Sequence, residues 1–146
     1  MLSAMAQDIR VPVSDIEAYA RWGSAVCEKN DDNTGDYLIR NQLARGYIYR
    51  ARYAEAEGIL HNERRRVYAT PGMGQIHKGL LLANLTDLYA GMGDWNRWAV
   101  TLRETLVLAY ESGLAQIIWR ISQDHGARKG YPEVRRESME MAIIAP

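Results

Sequence analysis

The chain has 146 residues, 47% of them apolar and 25% charged, which suits one soluble domain with a core of its own. Eighteen basic side chains balance eighteen acidic ones, so the net basic surface with which proteins grip nucleic acid is missing. A single cysteine, Cys27, excludes an intrachain disulfide, and three scattered histidines offer no zinc-ribbon spacing.

The opening stretch, 1–10, has no basic segment followed by an apolar core, so it does not read as a signal peptide. The longest apolar run, around Leu80–Ala83, falls far short of a membrane span. A cytoplasmic protein without a membrane partner is the expectation. Phenylalanine is absent, yet there are nine tyrosines and four tryptophans. Each of those rings pairs an apolar body with a polar group, a combination that suits half-exposed grooves and interfaces.

Helical periodicity runs through the chain, and no segment alternates in the manner of a strand. Ser14, followed by Glu17, predicts an N-cap and a helix to about Lys29 that buries Ile16, Tyr19, Ala20, Val26 and Cys27. Residues 30–35 form a turn cluster. A second helix is predicted from about Asp36 to Arg50, with Leu38 or Ile39, Leu43, Ala44, Tyr47 and Ile48 at helical spacing. The chain must turn near Ala51, and a third helix then spans Tyr53 to about Tyr68. Pro71 and its flanking glycines stop it. A fourth helix covers about Ile76–Ala90, Gly91–Asp94 is a turn, and a fifth runs from Trp95 to Glu111. Leu114–His125 and Glu133 to about Ile144 complete an expected count of about seven helices.

Residues 43–56 and 85–98 echo one another at a distance of 42 positions. Leu43 aligns with Leu85, Tyr47 with Tyr89, Ala51 with Gly93, and Tyr53 with Trp95. A hairpin recurring at such a period cannot bury its apolar face alone, and stacked copies solve the problem. The pattern of Leu-x-x-x-Tyr, a short turn and an aromatic residue resembles tetratricopeptide (TPR) repeats. The segment Arg52–Glu57 is most like the 42-residue repeats of the kinesin-light-chain type. The resemblance covers 36–70 and 76–112, leaving 14–30 and 114–144 as capping or degenerate helices of one domain, 1–146. It implies an all-α, right-handed stack of antiparallel hairpins. The sequence departs from the family at Ala51, which replaces a turn glycine, and at Trp98, which replaces a small alanine.

The resemblance implies a recognition scaffold in which the first helix of each hairpin lines a concave groove. Carried over by position, Leu38, Asn41, Gln42, Arg45 and Tyr49 would face the groove from one unit, with Asn84, Asp87 and Gly91 from the next. The three amides offer hydrogen bonds to a peptide backbone, and Arg45 offers a fork to a carboxylate. Replacing Arg45 by Glu or Asn84 by Ala is then expected to remove partner binding without unfolding the chain. Trp98 either packs in the core or, if too large for its site, exposes a ring beside Arg97 as a contact hot spot.

Arg64–Arg66 do not make one phosphate patch, because successive helical residues point about 100° apart. His61 with Glu63, and Asp124 with His125, are too close along a helix to face each other. No nucleophile motif, phosphate loop or metal-ligand pair accompanies them, so neither an enzyme nor a cofactor is expected. The favoured reading is a protein- or peptide-binding adaptor. A regulatory helical protein associated with nucleic acid is a second reading. A self-assembling subunit or homodimer is a third, since short arrays can pair their exposed ends.

Overall fold

The computed structural model describes residues 2–113, which are helical apart from short turns and contain no strand. The helices are α1 Leu2–Gln7, α2 Val13–Lys29, α3 Asn33–Tyr49, α4 Tyr53–Ala69, α5 Gln75–Met92 and α6 Trp95–Glu111. The helices expected at 114–125 and 133–144 lie outside the described residues. The chain divides into two compact units, Met1–Ala99 and Val100–Pro146. All of the packing described below belongs to the first unit.

Several boundaries differ from the sequence expectation for local reasons. Ser14 does not cap α2. Pro12 occupies that place, and its carbonyl accepts from the Asp15 amide at 3.0 Å. α3 starts three residues before Asp36 because the Asp32 carboxylate accepts from the Gly35 amide at 2.8 Å. The polar cluster at 30–35 therefore closes its turn quickly and supplies the first turn of the next helix. α5 continues through Gly91 to Met92. α1, too short to give a periodic signal, anchors Leu2 and Ala6 four residues apart on one buried side.

Three tight connections share one construction. Asp31, Ala51 and Gly93 adopt left-handed backbone with φ of 52°, 57° and 71°. The next amide then reaches back five residues: Asp32 to Cys27, Arg52 to Tyr47 and Asp94 to Tyr89, at 2.8–3.0 Å. These bonds satisfy carbonyls that the helix ends would otherwise leave open. The alignment of Ala51 with Gly93 thus has a backbone counterpart, although alanine adopts this conformation at a cost.

The packing follows one rule along the chain. α3 touches α1 before it and α5 after it, while α2 lies against α1 and α3, and α4 against α3 and α5. Gly46 lies against Ala6 of α1 and Ile16 of α2, where a Cβ would stand at an ordinary contact distance of 3.5 Å from each. Gly91 accepts the Tyr53 ring, and a Cβ at that place would meet it at 2.7 Å. Leu2, Ile16 and Ala20 form a core cluster with Ile39 and Leu43 against it. Leu60, Leu81, Leu85 and Leu88 are fully buried.

Arg50 fastens α1 to this stack. Its guanidinium donates to the carbonyls of Met5, Ala6, Asp8, Val11 and Gly46 at 2.6–3.3 Å. One fixed fork of N–H groups is suited to gather so many acceptors, and a lysine is not.

Candidate functional site

α3 is enclosed by its neighbours except along two opposite stripes. One carries Leu38, Gln42, Arg45 and Tyr49, spaced 4, 3 and 4 residues apart and turned to the side of α5. Leu38 is 41% exposed and Tyr49 44%. Between them the Arg45 guanidinium donates to Asn84 Oδ1 at 3.0 Å and lies 3.5 Å from Asp87 Oδ2, both on α5. Its other nitrogen donates to the Tyr49 hydroxyl at 3.2 Å, and the same cation lies 5.4 Å from the Tyr49 ring centroid. Arg45 and Asp87 remain partly open to solvent. The fork expected to seize a partner's carboxylate is therefore already oriented by a carboxylate of its own chain.

Behind this ion pair runs a buried polar chain. Asn84 Nδ2 donates to Asn41 Oδ1 at 3.1 Å, and Asn41 Nδ2 donates to the Tyr37 carbonyl at 3.0 Å. The Tyr37 hydroxyl crosses to α5 and donates to the His77 carbonyl at 2.5 Å. Burial pushes the Tyr37 phenol up to about 12, which keeps its donor proton in place. Buried amides are tolerated where each finds a partner, and these two find one another.

This geometry corrects part of the sequence expectation. Asn41, Asn84 and Trp98 are each 0% exposed, so none offers its side chain to a groove. Position in the repeat assigns Asn41 and Asn84 outward, but their side chains meet each other between α3 and α5. Removing Asn84 would unpair a buried amide and strike packing before binding, so Asn84→Ala does not isolate a binding role. Trp98 is a core residue whose ring meets Trp95 edge to face at 5.6 Å. The place of a small residue is thus filled by an enclosed ring. Leu38, Gln42, Arg45, Tyr49 and Asp87 stay on the α3–α5 face. The Gln42 Oε1 atom is itself buried there, without a hydrogen-bond partner.

The second open stripe of α3 is the floor of a cleft of about 760 Å³ between α2 and α4. Asp36, Ile39, Arg40 and Leu43 line it from α3, with Glu17 and Arg21 from α2 and Arg66 from α4. Sequence reasoning missed the ion cluster at its wall. Arg66 bonds to Asp36 at 2.7 Å and Glu63 at 3.3 Å, while Arg40 bonds to Asp36 at 3.0 Å. Burial works against the Asp36 carboxylate, yet the Ser24 hydroxyl with Arg66 and Arg40 holds it below its ordinary range. Glu63 is fully enclosed, and burial pushes its carboxyl up while Arg66 and Arg40 pull back only in part. The only early sign was the 3- and 30-residue spacing of Arg66 from Glu63 and Asp36, and the second of these depends on the fold.

Arg64 lies 6.0 Å from the Tyr68 ring centroid, while Arg66 turns into the cleft. The arginine run is therefore divided between different neighbours. The aligned Tyr47 and Tyr89 each turn the hydroxyl to the preceding helix. Tyr47 donates to Glu17 on α2 at 2.8 Å with Arg52 over its ring, and Tyr89 meets His61 on α4 at 3.2 Å with Arg97 over its ring. Among the described residues no group of three His, Cys, Asp or Glu is placed to hold a metal ion, and no helix is long and apolar enough to cross a membrane. Comparison of the chain with protein-family models, curated proteins and solved structures returns no match.

Proposed function

We propose that this chain is a TPR-like helical-hairpin module that binds a protein or peptide partner along the face shared by α3 and α5, without catalysis. Three features of the fold support a repeating stack. Helices α1, α3 and α5 touch in succession while α2 and α4 each bridge two of them. The tight turns at Ala51 and Gly93 are built alike. Tyr47 and Tyr89 each turn the hydroxyl to the preceding helix and carry an arginine over the ring, although the partner residues differ.

The observation that carries the binding role is the open stripe of α3 beside α5, which combines half-exposed apolar side chains with an oriented ion pair. Leu38 and Tyr49 supply half-exposed apolar surface at its ends. Arg45 and Asp87 supply a fixed cation and anion between them. Apolar anchors flanking oriented polar groups are the composition of a recognition surface. Tyrosine and arginine are also the residue types that dominate contact energies.

Replacing Arg45 by Glu puts a negative charge beside Asp87 and loosens Tyr49. The expected result is a folded chain, with a melting temperature within a few degrees of wild type, that no longer recovers its partner from native lysate. Recovery of the same partner by the variant would place the contact elsewhere.

A further inference from the structure

Helix α2 carries an apolar stripe on its outer side. Trp22 is 63% exposed and Val26 42%. The Trp22 ring is braced edge to face by Tyr19 at 5.6 Å, so it is held away from the core. Ala18 and Ala25 lie open beside it. At about 100° per residue, all of these positions fall within roughly 60° of Trp22 around the helix.

The same stripe ends in opposite charges. Asp15 stands seven residues before Trp22 and Lys29 seven residues after it, one heptad each way. Both are exposed, and neither makes an ion pair among the described residues. A stripe with an anion at one end, a cation at the other and a large ring midway is complementary to its own reverse.

We propose that α2 is the contact face of a homodimer in which two copies pack this helix antiparallel about a twofold axis through Trp22. This goes beyond the partner face on α3 and α5 and uses none of its residues. In that arrangement Asp15 faces Lys29 of the second copy, and Lys29 faces its Asp15. Ala18 lies opposite Val26 and Tyr19 opposite Ala25, so each large side chain meets a small one. The two Trp22 rings meet at the axis, where a closed isologous interface places its central anchor. A parallel pairing would set Asp15 against Asp15 and Lys29 against Lys29, so the charges select the antiparallel form. The formal net charge of zero adds no long-range repulsion between copies.

Sedimentation velocity of the full chain over a range of concentrations tests the assignment. Wild type is expected to approach twice the 16.6 kDa of one chain. Asp15→Lys alone and Lys29→Asp alone each create two like-charge contacts, and each is expected to raise the dissociation constant about tenfold or more. An equimolar mixture of those two variants is expected to regain the dimer, because every aspartate then faces a lysine. Trp22→Ala, which alters no charge and no helix end, is expected to dissociate while keeping wild-type helical content by circular dichroism. A wild type that stays monomeric at its highest soluble concentration overturns the proposal. A dimer indifferent to both charge reversals and to Trp22→Ala overturns it equally.

Discussion

At the scale of single residues, placement depends on partners far along the chain. Glu63 looked in the sequence like one acid on a helix, yet it is enclosed and shares Arg66 with Asp36. Burial raises its folded-state pKa above the ordinary glutamate value of 4.5. A carboxyl with a raised folded pKa takes up its proton in the folded chain first, so acidification through that value adds stability. Asp36 has the opposite sign. Its lowered pKa gives stability that is present above 3.8 and lost as the pH falls through the folded value. Chemical denaturation of wild type and Glu63→Gln between pH 7 and 4.5 should therefore show wild type gaining on the variant as pH falls. A difference that does not change with pH would contradict this account of Glu63. Arg50 teaches the same lesson. Nothing in its neighbourhood signals that it collects five carbonyls, four of them from residues 5–11.

At the scale of elements, α3 to α6 were legible because their apolar spacing and their stops are local properties. The end of α4 at Thr70 and Pro71 follows from proline chemistry, and the start of α6 at Trp95 from Gly93 together with the Asp94 carboxylate, which accepts from the Arg97 amide at 3.1 Å. What stayed hidden was capping that depends on one side chain, as at Asp32, and α1, whose six residues matter through Arg50 rather than through periodicity. The turn at Ala51 offers a direct check on the repeat. Its φ of 57° is the conformation that Gly93 adopts at the equivalent place. Ala51→Gly relieves that strain and is expected to stabilise the chain by up to about 1 kcal/mol, a rise of a few degrees in melting temperature. An unchanged or lower melting temperature would mean that the turn is not strained.

For the whole molecule, the echo of 42 residues marks more than matching letters. It turns the Tyr47 and Tyr89 hydroxyls each to the preceding helix and sets two turns in one geometry. Of the two sides of α3 that stay open, the sequence named the one with Leu38, Gln42, Arg45 and Tyr49, and missed the one over the cleft. It misplaced Asn41 and Asn84, because a position on a helix face does not say how closely the neighbouring helix approaches, and of the two places it allowed Trp98 the ring takes the core. In this chain α5 approaches closely enough to bury both amides.

The central claim, that the α3–α5 face holds the partner, is tested most directly by position-specific photo-crosslinking in the native host. A crosslinker at Leu38, half-exposed on that face, is compared with one at Arg65, exposed on α4. The account predicts one discrete adduct from position 38 that disappears when Arg45 is also replaced by Glu, and no such adduct from position 65. The same adduct from both positions, or one from position 38 that persists with Arg45→Glu, would contradict it.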